Sequence, residues 1–288
     1  MGRAPTAREI EAEVALARPP RGRRAVVPSS EALAMLVRRG LRPRLGRPDV
    51  PFDPDLPEPR AERLSTLLGH YAFRLFLRGA ILRGDGFDPA ETTPYVSSAR
   101  AEEFADALAG LGIAERVAPG RYRLTKGAAN FGGTLEWYVG REMRRTLGFD
   151  VATGVKFHAR GVGGDLDVVA AAEGKLVYLE LKSAPPKHLS AGEVDSFLER
   201  LDLLRPDLAL FVVDTALRLS DRVVAMLVEG IARRTGTRTP EPRRIERELW
   251  ALSPHLYVVN SRPDLMGNLA RTIKEGLRAL SPFARPRP

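Results

Sequence analysis

No cysteine occurs among the 288 residues, which excludes disulfides and any thiolate metal site. Lysine is scarce: Lys126, Lys156, Lys175, Lys182, Lys187 and Lys274 are the only six among 45 basic residues, so arginine is the default surface cation. No apolar run approaches the roughly 18 residues of a membrane-spanning helix, and the first residues lack the apolar stretch of a secretory signal. Together these absences lead us to expect a cytoplasmic protein. There is no Walker A sequence, dinucleotide fingerprint or G-x-S-x-G, so ATP use and triad hydrolysis have no support. What is present, 44% apolar and 28% charged residues, is the composition of an ordinary globular chain. A formal charge of +9 favours an anionic partner, most often nucleic acid.

Residues 1–60 hold ten prolines, twelve arginines and no lysine. We expect a Pro/Arg-rich arm, with short helices over 7–17 and 30–39, that touches phosphate or is a solvated tail. Residues 61–129 form the next unit. A helix is expected over 61–78 from its Leu64–Phe76 apolar stripe, then a turn region, then a helix from Ser98 that ends at Gly110 and Gly112. Residues 113–117 and 121–125 alternate around Pro119-Gly120 as a hairpin. This order resembles a small winged helix-turn-helix domain. Its last helix, however, shows Glu102, Glu103 and Asp106 outward, which opposes phosphate, and leaves the wing residues Arg116, Arg121 and Arg123 as the DNA contacts. Packing against another protein surface is an equal alternative.

From residue 130 the pattern changes. A helix is predicted over 131–147, with Leu135, Tyr138, Val139 and Met143 inward and Glu136 at the edge of that stripe. A strand over 151–160 follows, bearing Lys156 and His158. Residues 163–183, GGDLDVVAAAEGKLVYLELKS, read as a hairpin about Glu173-Gly174, a type I′ turn pair. Residues whose numbers share one sum lie opposite, so Asp167 faces Glu180 and Asp165 faces Lys182. Side chains alternate between faces, putting Asp165, Asp167, Glu180 and Lys182 on one face and Leu166, Val168, Val177, Leu179 and Leu181 on the other. Opposed carboxylates about 5 Å apart repel, and a divalent cation would relieve them. The plainer reading is a solvated hairpin face carrying a cross-strand salt bridge. Beyond it come a helix capped by Ser190 and running to Leu204, a buried strand over 208–213, a helix over 215–232, a basic loop over 233–247 running into a helix through Trp250, a strand over 256–259 and a closing helix over 264–280.

Asp167 followed by Glu180-Leu181-Lys182 at the end of the next strand resembles the PD-(D/E)xK motif of the restriction-endonuclease-like nuclease superfamily. The resemblance spans roughly residues 130–260; the residue before Asp167 is Leu166 in place of the motif's proline. It implies an α/β fold, an α-β-β-β-α-β core with a mixed central sheet over 130–288, preceded by the winged-helix-like unit. It implies a Mg²⁺- or Mn²⁺-dependent nuclease acting on nucleic acid, DNA ahead of RNA, with no membrane partner and room for a homodimer. Asp167, Glu180, the Leu181 carbonyl and Glu136 would hold the metal, with Glu136 equally explicable as a first-turn helix residue. Lys182 would stand by the attacking water, Asp165 would orient Lys182 or support the metal ligands from behind, and His158 would support the site or meet substrate. The rival reading is a non-catalytic DNA-binding regulator with a nuclease-like domain.

Overall fold

The computed structural model describes residues 30–84, 86–157, 165–237 and 241–281. The expected helix over 7–17, His158 and the end of the 151–160 strand lie outside them. In chain order the elements are α1 (Glu31–Arg38), β1 (Arg44–Leu45), α2 (Glu58–Gly69), α3 (Tyr71–Leu82), α4 (Ser98–Gly110), β2 (Ala114–Ala118), β3 (Arg121–Leu124), α5 (Gly132–Leu147), β4 (Asp150–Lys156), β5 (Asp165–Ala172), β6 (Lys175–Lys182), α6 (Ala191–Leu204), β7 (Leu208–Val213), α7 (Ala225–Thr235), β8 (Arg243–Glu246), β9 (Leu249–Ser253), β10 (Leu256–Asn260) and α8 (Leu265–Ala279). Apart from the β2–β3 hairpin, the described strands join one mixed sheet of eight, in the order β1-β4-β5-β6-β7-β10-β9-β8. The β6–β7 and β7–β10 pairs are parallel and the rest antiparallel. The central strand β7 is buried at every residue, as its unbroken apolar run LALFVV requires.

Each face of the sheet has its own core. On one, Leu135, Tyr138, Val139 and Met143 of α5 pack on Val177, Leu179, Leu210 and Val212. That cluster continues without a break into Leu64, Phe73, Phe76 and Phe104 of α2–α4 and into Val50 and Phe52. On the other face, α1, α6 and α7 cover Val169, Tyr178, Phe211 and Val258. Burying both sides gives a chain of this size its driving force, at roughly 25 cal/mol per Å² of apolar surface removed from water.

Several expectations need correction. The helix expected over 61–78 is two helices broken at His70, whose backbone is extended. The break lets Arg74 turn back and donate to the Leu68 and Gly69 carbonyls, at 2.6 and 3.1 Å, capping the end of α2. The segment entering Trp250 is not helical. Residues 243–253 form the β8–β9 hairpin, with Arg247 at positive φ in the turn. The helix expected from Thr215 starts only at Ser220, with one turn of π-helix that continues into α7.

Candidate active site

The hairpin register follows the expected sum as far as Val168↔Leu179, and Glu173 and Gly174 both take positive φ in its turn. Past Val168 the ladder stops. Asp167 bridges the gap with its side chain: Oδ2 accepts the Leu181 N–H at 2.7 Å. The expected partition of faces fails here as well. Val168 joins the α5-side core, whereas Leu166, two residues away, joins the opposite core together with Val155. The flip coincides with Gly154 on the neighbouring strand, where φ is +58°. This left-handed backbone turns the Gly154 N–H toward the Glu136 carboxylate, which accepts from it.

Glu180 lies on the α6 side and is almost wholly buried. Lys182 Nζ stands 3.0 Å from its Oε1, and Arg200 Nη2 donates to the same oxygen at 2.7 Å. The Tyr178 hydroxyl donates to Oε2 and accepts from Arg200 Nε at 3.0 Å. Lys182 also pairs with Glu193 at 3.3 Å, and Glu193 is held in turn by its capping box with Ser190. Burial works against the lysine's charge, but Glu180 and Glu193 override it and hold the ammonium's pKa above its ordinary value. A cation fixed in this way stays charged at any ordinary pH.

Glu136 approaches from α5. Desolvation first, then the charges of Asp167, Asp165 and Glu180, push its carboxyl up to about 8. Asp167 is also raised, by burial and then by Glu180, with the Leu181 N–H and Lys182 opposing. Asp165 is exposed and pairs with Lys156 at 3.6 Å. The partners of Lys182 are Glu180 and Glu193, so Asp165 takes no part in orienting it. Glu142, further along α5, is buried against Ser65 (2.6 Å) and Arg145 (2.9 Å), where it ties α5 to α2.

The donor set suits a divalent cation in part. Asp167 and Glu136 are mutually repelling carboxylates whose protons a cation would displace. Both oxygens of Glu180 are already engaged by Arg200, Lys182 and Tyr178. Among the described residues no three Asp, Glu or His side chains are grouped to hold an ion as they stand. Sequence reading missed Tyr178, Glu193 and Arg200. The signals were there: Tyr178 shares a face with Glu180 by strand period, and Glu193, Phe197, Arg200 and Leu204 share one helical stripe.

The raised Glu136 carboxyl has a consequence for stability. Its folded pKa lies above its ordinary 4.5, so the folded state binds more protons than the unfolded state between pH 4.5 and about 8. Stability from this group is therefore lost as pH rises through that window. Thermal melts in EDTA should show the wild type losing ground against Glu136→Gln as pH rises, and Mn²⁺ should shrink the difference. A wild type that gains on the variant would contradict the assignment.

No family model matches this chain, and no curated protein does. Among solved structures, protein VC1899 from Vibrio cholerae superposes with a TM-score of 0.51 at 16% identity, over 87% of this chain and 63% of that one. Can2 from Sulfobacillus thermosulfidooxidans, solved in complex with cyclic tetra-adenylate, gives a TM-score of 0.43 at 15% identity, over 85% of this chain and 60% of that one. The first is a likeness of fold alone, and the second is too distant to carry an argument. The chain spans under two thirds of the length of either. Among the described residues, no helix is long and apolar enough to cross a membrane.

Proposed function

We propose that this chain is a metal-dependent nuclease that hydrolyses phosphodiester bonds in nucleic acid. In this reading residues 130–288 are the nuclease-like domain, and α2–α4 with the β2–β3 hairpin are a winged-helix-like module. The observation that carries the reading is the junction of β5 and β6. There an aspartate and a lysine flank a buried glutamate, and a second glutamate enters from α5.

Asp167, Glu136 and the Leu181 carbonyl are the groups that would hold Mg²⁺ or Mn²⁺. Glu180 could join them only by giving up Arg200 or Tyr178. The cation, when bound, lowers the pKa of a water and offsets phosphate charge. Lys182 offers its protons to the attacking water or to the charge that develops on the phosphate. Glu180, itself fixed by Arg200, sets the position of that ammonium. The rival reading of a non-catalytic regulator draws its support from the same Arg200–Glu180 pair, which leaves one motif carboxylate neutralised.

Base reading by α4 finds little support. Arg116 is tied to Asp106 and Tyr122, Arg123 to Glu115, and Arg100 to Glu103. The deciding experiment incubates the chain with single- and double-stranded DNA and RNA in Mg²⁺, Mn²⁺ or EDTA. Cleavage that needs the metal and fails in Asp167→Asn is expected. No cleavage of any substrate with either metal would hand the case to the regulator.

A further inference from the structure

Beside Glu136 lies a cleft of about 240 Å³, walled by residues 46–49 of the N-terminal segment, the start of α5 and the end of β4. Glu136, Asp165 and Lys156 line it, so it opens onto the candidate active site, and Trp137 and Arg47 line it too. Its outer wall depends on β1, which extends the sheet by pairing with β4; the Gly46 N–H continues that ladder to the Gly154 carbonyl at 3.0 Å. Gly46 leaves room there: a Cβ would stand about 3.0 Å from both that carbonyl and Lys156 Cε, closer than side chains usually approach. The lysine's stem crosses the space that the glycine leaves.

Among the described residues, the exposed arginines of this edge have no carboxylate partner. Arg44 stands directly opposite Lys156 in the ladder, a like-charge pairing that costs stability. Arg42, Arg44 and Arg47 are exposed, and among the described residues none has a carboxylate within ion-pair distance. Among the described residues, Lys156 reaches Asp165 alone. On the acidic side of the cleft, Asp49 is occupied by the Ala129 N–H at 2.9 Å. A row of unneutralised arginines beside a narrow cleft lined by an aromatic ring is the pattern of a single-strand track. There, phosphates follow the cations and a base meets the part of the Trp137 ring that Phe52 and Arg141 leave open. A cleft of about 240 Å³ has no room to take in a duplex.

We propose that Arg42, Arg44, Arg47 and Lys156 guide a single-stranded nucleic acid along the β1 edge, seating one nucleotide beside Trp137 next to Glu136. This names the substrate form for the nuclease reading and rests on it for its purpose, but its test is binding rather than cleavage. Short labelled oligonucleotides, single-stranded and duplex, DNA and RNA, are titrated in EDTA against the wild type and an Arg42→Ala/Arg44→Ala/Arg47→Ala variant. The substituted side chains are exposed, so the variant should fold. It should lose about tenfold or more in single-strand affinity, and its log K against log salt slope should become shallower by about 2, at roughly 0.7 per lost phosphate contact. In Trp250→Phe protein, Trp137 is the sole tryptophan; single strands should quench its emission and duplexes should not.

Equal binding by variant and wild type overturns the proposal, as does tighter binding of duplex or unmoved Trp137 emission. A wild type that binds no single strand overturns it too. If the wild type cleaves while the triple variant binds unchanged, the track fails and the nuclease reading stands. If binding falls as expected but no metal yields cleavage, the track stands and the nuclease reading fails.

Discussion

Replacing Lys182 by alanine is expected to lower Mg²⁺- or Mn²⁺-dependent cleavage by about 10²–10³-fold, the usual cost of removing one charge-stabilising donor from a transition state. Fold and nucleic-acid affinity should change little. The reason lies in the partners of Glu180. A buried carboxylate stripped of its only cation is strongly destabilising, but here Arg200 still donates at 2.7 Å after Lys182 is gone, and Tyr178 still holds the other oxygen. In the proposed reading affinity comes from exposed arginines, those of the β1 edge among them, and one half-buried lysine would contribute little to it. Cleavage rate, urea midpoint and oligonucleotide affinity, measured side by side, check all three statements. If the variant cuts as fast as wild type, the activity resides elsewhere or in a contaminant. If it unfolds, Arg200 does not compensate as described.

The second large effect concerns Asp214, at the end of β7 and 1% exposed. It accepts from Arg74 at 2.9 and 3.0 Å, from Arg78 at 3.1 Å and from Ser261 Oγ at 2.6 Å. Both arginines come from α3, so this cluster fastens the helical module to the sheet. Its backbone N–H also bonds the Lys182 carbonyl at 2.8 Å, which places the fastening one residue from the candidate site. Arg74 is itself 1% exposed, with no route to water. Asp214→Ala leaves the buried Arg74 guanidinium, and the partly exposed Arg78 beside it, without their counter-charge. The expected loss is about 3–5 kcal/mol, the range found when one partner of a buried ion pair is removed. Denaturant unfolding measures it; a loss under about 1 kcal/mol would mean that water or rearranged side chains already solvate the arginines. A fragment of residues 61–129 lacks Asp214 altogether, so Arg74 in it must either find solvent or unfold α3.

The sequence by itself marked β2 to β7 and β10 along the chain, but not β1, β8 or β9. Glu173-Gly174 permits only a tight turn with both residues at positive φ, and that turn sets the register of β5 and β6 up to Val168. The apolar run at 208–213 could only be a strand covered on both faces, and Ser190 marked the start of α6 as its cap. Asp167, Glu180, Lys182 and Glu136 were legible because a short motif and a helix stripe carry them.

What the sequence could not carry is whatever depends on a partner distant in the chain. Period 2 predicted that Leu166 and Val168 share a face, but the faces change between them, beside the left-handed Gly154 of the adjacent strand. A lone helix pattern over 61–78 could not show the break at His70, since its compensation is an arginine that caps the preceding helix and pairs with Asp214, 140 residues later. The occupation of Glu180 by Arg200 likewise required α6 to dock on β6. Local periodicity encodes which face a residue takes within its own element. Which charge it meets there is decided when the elements pack, because an ion pair's energy depends on distance and burial that no spacing along the chain contains.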